Sequence, residues 1–231
     1  MTSTPKQGIR AEARARTLER IEEIAGEQLR EGGIPGLSLR AISRDLGMAP
    51  SAIYRYFESS DALLTHLIIN GFNAISDVVA AAVGAHGQET PRVRLRVLAS
   101  ATREFFVDNP HLFALLYGTP IPGYQAPQDT VAPASRVGEL MLALIVEARS
   151  RGPKAPRVEA STQLIDGIAP LRAAMPDADP DVLAVGIAAW NQLYGLISFE
   201  LFGHFVNAVG NYAEYFEAVM DMWWDRLLGK E

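Results

Sequence analysis

Residues 38–57 read SLRAISRDLGMAPSAIYRYF, and the pattern within them decides the fold. Leu39, Ile42 and Leu46 recur at i, i+3 and i+7, which gathers three apolar groups on one face of a short helix. Ser38 stands where an N-cap hydroxyl accepts from the free backbone N–H groups of the first turn. Gly47 follows the last apolar position, where a left-handed residue ends a helix at little cost. Pro50 suits the first turn of a second helix, because its missing N–H would have had no partner there. In that second helix, expected over 49–57, Ile53 and Phe57 are four apart and pack back on the first. Ala49, Ser51, Ala52, Tyr54, Arg55 and Tyr56 are left facing outward. Two short helices around a glycine turn, the second ending in tyrosines and an arginine, make the pattern of a helix-turn-helix.

The resemblance to a known family is carried by many positions at fixed spacing. Ala41, Ile42, Ser43, Arg44, Asp45, Leu46, Gly47 and Met48 are followed by Ala52, Ile53, Tyr54, Arg55, Tyr56 and Phe57, then by Asp61, Ala62, Leu63 and Leu64. With Ile21, Ala25, Leu29 and the Gly32-Gly33 pair upstream, residues 10–70 resemble the N-terminal domain of the tetracycline-repressor (TetR) family. Ser60 stands where that family usually has a phosphate-binding lysine, and Tyr56 where it often has histidine. A looser resemblance over 90–225 is to a TetR subgroup with a Trp-containing (WHG-like) signature on a late helix. Here that signature would be Trp190, Asn191, Gln192, Leu193, Tyr194 and Gly195, with Tyr194 in place of the commoner histidine.

Composition narrows the remaining possibilities. A chain of 231 residues holds one large domain or two small ones. It has no cysteine, which excludes disulfides, thiol nucleophiles and thiolate metal sites and fits a reducing cytoplasm. The net charge of −6 argues against nucleic acid only as an average, because residues 1–60 carry +1 and the remainder −7. A DNA-binding end needs only a local positive surface, which Arg10, Arg14, Arg40, Arg44 and Arg55 would supply. The basic N-terminus has no apolar run behind it and does not read as a secretory signal. The uncharged stretch between Asp181 and Glu200 approaches the length of a membrane span, yet it contains Asn191, Gln192 and two glycines. It reads as a helix buried between protein surfaces, and no membrane partner is expected.

In order, residues 1–9 read as a disordered arm and 10–58 as a three-helix DNA-binding domain. A connecting helix over 59–85 would span roughly 39 Å, and 86–231 form a larger helical domain for ligand binding and dimerisation. The run RVRLRV at 92–97 alternates like a strand, but the helical period of Leu95, Leu98, Thr102, Phe105 and Phe106 makes it a helix. Four prolines over 118–134 predict a long loop, a setting that is often functional. Further helices are expected at 135–150, at 157–174 with a kink or stop at Pro170, from 181 to about 205, and over 212–228. The expected fold class is all-α.

The site residues follow from these elements. The DNA-binding set is Ser38, Arg40, Arg44, Ala49, Pro50, Ser51, Ala52, Tyr54, Arg55, Tyr56 and Ser60. Ser38, Tyr54 and Tyr56 would donate hydroxyls to phosphates, and the first turn of the second helix would offer backbone N–H groups to an anion. Arg40 and Arg55 would read guanine, and Ala52 a thymine methyl. The resemblance implies an effector pocket, for which Phe72, Phe105, Phe106, Phe113, Tyr117, Met141, Trp190 and Tyr194 are candidates. Their apolar character points to a hydrophobic or aromatic small molecule. It also implies a homodimer through the last two helices, with Leu193, Leu196, Ile197, Leu201, Phe202, Phe216, Met220, Trp223 and Trp224 as candidate interface. Two-fold symmetry would then set two recognition helices about 34–36 Å apart on a palindromic operator in double-stranded DNA.

No motif surrounds any of the four histidines, and there is no Walker loop, dinucleotide loop or nucleophile elbow. Glu200 and His204 are four apart, a metal-sharing spacing, but no third ligand is visible. No catalytic residue, metal or cofactor is therefore expected. The implied function is a ligand-responsive regulator of transcription, most simply a repressor. The competing readings are an effector-independent architectural DNA binder and, behind it, an α-helical enzyme.

Overall fold

The computed structural model describes residues 5–151 and 161–229, and no strand forms among them. The fold is all-α and divides into two compact units, residues 1–72 with 111–131 and residues 73–110 with 132–231.

The first unit begins with α1 (Pro5–Gly32), whose Ile21, Ala25 and Leu29 are buried. The N–H of Gly33 closes its last turn on the Leu29 carbonyl at 3.0 Å. A single 3-10 turn (Ile34–Gly36) leads into α2 (Leu39–Asp45), which buries Leu39, Ile42 and Ser43. After a glycine turn comes α3 (Pro50–Ile53), and then α4 (Ser60–Ala85), capped by Ser59 Oγ on the Ala62 N–H at 3.0 Å. Ile53, Phe57, Leu63, Leu64, Leu67 and Ile68 complete this small core. Residues 111–131 join the same unit, where the Tyr124 hydroxyl meets Thr65 Oγ1 at 2.9 Å and the Leu116 side chain comes within 3.3 Å of where a Cβ on Gly71 would stand.

The second unit holds the end of α4, where Ile75, Val79 and Val83 are buried, together with α5 (Pro91–Asp108) and most of α7 (Val131–Arg151). α6 (Pro110–Tyr117) precedes α7, and α8 (Thr162–Gly167), α9 (Ala169–Ala174), α10 (Pro180–Leu201) and α11 (Tyr212–Leu228) follow it. α10 is the central element: it packs on α5, α8, α9 and α11 and buries ten of its residues, among them Leu183, Ala189, Leu193 and Ile197. The alternation in 92–97 has a helical explanation. Arg92 and Arg96 pair with Asp225 and Asp221 on α11, while Arg94 reaches Glu147 on α7 at 3.1 Å. Arg92 and Arg149 also donate to the Gly229 and Leu227 carbonyls at 3.1 and 2.7 Å, satisfying acceptors that the end of α11 leaves open.

Several boundaries differ from expectation. α1 is helical from Pro5, so residues 5–9 are not a disordered arm, and residues 1–4 lie outside the described residues. The second helix of the motif is short, with turns replacing helix over 54–56. α7 starts at Val131 instead of 135, because Pro133 falls in a first turn whose N–H groups have no intrahelical acceptor. α10 stops at Leu201, four residues early, where Gly203 takes a φ of +75°. A break at Ile168 separates α8 from α9, which carries Pro170 in its first turn, while residues 157–160 of that expected helix lie outside the described residues. Residues 111–131 also group with the N-terminal unit, whereas they were expected within a C-terminal domain over 86–231. α4 and α10 are long and apolar enough to cross a membrane by length and composition, but both bury their apolar stripes against neighbouring helices.

Candidate DNA interface

The α2–α3 unit is built by local rules. Ser38 Oγ accepts from the Ala41 N–H at 3.3 Å, and the Ser38 N–H donates to Gln28 Oε1 at 2.9 Å, which ties the start of α2 to α1. Gly47 has φ +63° and nothing within 4 Å of its Cβ position, so its requirement is conformational and not steric. The Met48 N–H then closes on the Ser43 carbonyl at 2.8 Å, and Pro50 opens α3.

Ile42 and Ile53 are completely buried between the helices, which turns the intervening polar residues outward. Arg40, Arg44, Ala49, Pro50, Ser51, Arg55 and Ser60 are exposed, and Tyr54 keeps 46% of its surface. Ser38, Ala52 and Tyr56 are half-buried. Arg44 has only a 3.8 Å approach to Asp45, and both side chains lie largely in solvent. Of the eleven candidates, eight are thus exposed. At the base of the unit, His66 Nε2 meets Glu22 Oε1 at 2.6 Å and its ring lies 5.1 Å from Phe57.

Two further contacts escaped the sequence reading, one of them made by Arg14, which that reading named only for its charge. Gln28 fixes the entry to α2, and Arg14 sets its guanidinium 4.8 Å over the Tyr56 ring. Neither has a local signal, because each partner lies ten or more positions away.

The effector candidates fall into two groups. Phe72, Phe113 and Tyr117 belong to the first unit, with Tyr117 5.8 Å from Phe72 and 5.5 Å from Phe113. Phe105, Phe106, Met141, Trp190 and Tyr194 belong to the second, where Tyr194 lies 4.2 Å from Trp190 and 6.1 Å from Phe106. Met141, Phe106 and Phe113 are almost wholly buried.

The dimer candidates divide by burial. Leu193, Ile197, Phe216, Met220 and Trp224 are buried within the protomer. The outward residues of α10 and α11 are different: Phe199 and Phe202 are about half exposed, Met222 is 60% exposed, and Tyr215 is also exposed. Between them runs a groove of about 520 Å³ lined by Asn191, Gln192, Leu196, Phe199, Tyr215 and Trp223, among others. Of the expected set, Leu201, Phe202 and Trp223 retain an outward share, and the buried Leu196 lines the groove. A signal existed: residues 188, 192, 195 and 199 recur at helical spacing, but three of them are small or polar and hydropathy passes over them.

Glu200 and His204 do not share a helix face. α10 ends before His204, and Glu200 is held by Arg103 at 2.5 and 2.7 Å. Among the described residues no three His, Asp or Glu side chains group as a metal site. His111, on α6, is pushed below the ordinary histidine range by burial and, secondarily, by the Arg30 guanidinium. The folded chain therefore binds fewer protons than the unfolded chain once the pH falls below about 6.5, and stability declines as pH falls through that value. Thermal midpoints at about pH 8 and about pH 5.5 should lie closer together in His111→Gln than in the wild type; an unchanged gap would contradict this.

Residues 23–67 match the family model for bacterial regulatory proteins of the tetR family, and residues 95–223 match that for a tetracyclin repressor-like C-terminal domain. The chain is 34% identical over 216 residues to the HTH-type transcriptional regulators Rv1816 of Mycobacterium tuberculosis and Mb1846 of Mycobacterium bovis, covering 89% of each chain. A protein described as regulatory, SCO4313, has a similar crystal structure, with 29% identity, a TM-score of 0.76 and coverage of 98% of this chain and 100% of that one. The TetR-family regulator PfmR of Thermus thermophilus, at 19% identity and a TM-score of 0.57, covers 92% of this chain and 99% of its own, and shares the fold. The chain belongs to the TetR family: it is a helix-turn-helix transcriptional regulator and not an enzyme.

Proposed function

We propose that this regulator is a homodimeric, cytoplasmic repressor released from a palindromic operator by a hydrophobic or aromatic small molecule. The observation that carries the reading is the outer surface of α2 and α3, where Arg40, Arg44, Tyr54 and Arg55 are exposed above a buried Ile42–Ile53 core. Arginine and tyrosine on short helices are suited to base edges and phosphates. In this reading residues 10–58 hold the DNA, α4 is shared by both units and carries the signal, and 86–231 hold effector and partner. The clustered rings of Phe106, Trp190 and Tyr194 favour an apolar effector, and the exposed α10–α11 face favours a second copy of the chain. The mechanism is population shift: the effector moves the equilibrium by its difference in affinity between the DNA-competent and released states.

Arg55→Ala tests the DNA face. It should lower discrimination for a palindrome selected from a random library by about 1–3 kcal/mol, while folding stability stays within about 0.5 kcal/mol because the side chain is exposed. Retained selectivity would sink the assignment. Repeating the titration with a panel of hydrophobic compounds separates the repressor reading from an effector-independent DNA binder, which no compound would displace.

A further inference from the structure

We infer that Arg14 is a positioning residue for the DNA-reading turn: from α1 it holds residues 54–57 in the conformation that presents Tyr54 and Arg55. The inference rests on reading the α2–α3 surface as the DNA face. α3 is a single turn, and beyond it the backbone is held by short-range bonds, Arg55 N–H to the Ala52 carbonyl at 3.2 Å and Tyr56 N–H to the Ile53 carbonyl at 2.9 Å. A helix that short leaves its last carbonyls without intrahelical donors and has little cooperativity of its own. Arg14 supplies what is missing from outside. Its Nη1 and Nη2 donate to the Arg55 carbonyl at 3.4 and 3.5 Å, and its Cζ sits 4.8 Å over the Tyr56 ring, within cation–π range.

One guanidinium therefore fixes the backbone of one outward residue and the ring of the next, across a sequence separation of more than forty positions. The planar fork does both at once, which an ammonium cannot. Arg14 lies on the solvent side of α1, so a change there leaves the buried core untouched. A residue acting this way alters how well the turn fits a particular sequence. A residue that takes a phosphate alters binding to every sequence equally and carries part of the salt dependence.

The test is a set of anisotropy titrations of wild type, Arg14→Ala and Arg14→Lys. The probes are a palindromic duplex selected by the wild type from a random library and a shuffled duplex of equal composition, each from about 50 to about 200 mM salt. Arg14→Lys, which keeps the charge, should lose roughly tenfold on the selected duplex and nothing on the shuffled one, with an unchanged salt slope and an unshifted thermal midpoint, and Arg14→Ala should lose at least as much on the selected duplex. In a cycle with Tyr56→Leu, the double variant should cost less than the two singles together. Equal loss on both duplexes with a slope shallower by about one would make Arg14 a phosphate contact and overturn the inference. Rescue by lysine, or a fall in thermal midpoint alongside the loss, would overturn it too. If the wild type selects no duplex, the DNA reading falls and this falls with it; if it does and the variants bind as the wild type does, only this inference falls.

Discussion

Phe199→Arg should give a monomer that folds normally and binds its selected palindrome about 10²–10⁴-fold more weakly than the wild type. Phe199 is half exposed in the protomer, so the substitution disturbs little of the core and should change folding stability by no more than about 0.5 kcal/mol. In an isologous interface, however, it occurs twice, and each copy places a charge against the apolar rim of the groove beside Leu196, Tyr215 and Trp223. Losing the partner removes the second head, and with it the effective concentration that makes two weak half-site contacts tight. Light scattering on a sizing column reads the mass and an operator titration reads the affinity. A variant that stays dimeric and binds within threefold of wild type would show that the α10–α11 face is not the interface.

Arg103→Ala should lower folding stability by about 3–5 kcal/mol. Arg103 Nε and Nη2 donate to the two carboxylate oxygens of Glu200 at 2.7 and 2.5 Å, and both side chains are largely buried. The guanidinium carbon also lies 5.7 Å from the Phe216 ring, so one residue of α5 fastens both α10 and α11. Truncating it leaves the Glu200 carboxylate in a poorly solvated place without its partner. That orphaned charge costs more than the pair contributes: replacing both residues together, Arg103→Met with Glu200→Leu, should cost much less than the single change. Denaturant melts of the three chains read this directly. A single variant within about 1 kcal/mol of wild type would mean that water or another donor reaches Glu200 freely.

How much of this was legible in the sequence depends on the range of the interactions involved. The Ser38 cap, the left-handed Gly47, Pro50 at the head of α3 and the burial of Ile42 and Ile53 are all decided within a few residues, so the motif and its outward face could be read without a structure. The long connecting helix was equally plain, ending at Ala85 as expected and starting at Ser60, one residue after the expected 59. The length of α3 was not, because Tyr54 to Tyr56 are competent helix residues and the contact that shapes them comes from Arg14 on another helix.

The outward face of α10 was not legible for a related reason. That helix is apolar on nearly every side, and hydropathy does not tell the face that packs on α5 and α11 from the face left outside. Leu193 and Trp224 went inward while Asn191, Gln192 and Phe199 line the open groove. The charge pattern of α5 was visible as an oddity in 92–97, but its meaning needed the acids of α7 and α11, more than fifty residues away.

In the proposed complex, two copies of the α2–α3 surface enter successive major grooves of one duplex. Hydroxyl-radical footprinting of the wild-type protein on a duplex it has selected from a random library tests this most directly. Two protected patches related by a dyad and centred about one helical turn apart, roughly 34–36 Å, are expected. A single patch, or protection that follows no sequence, would contradict it.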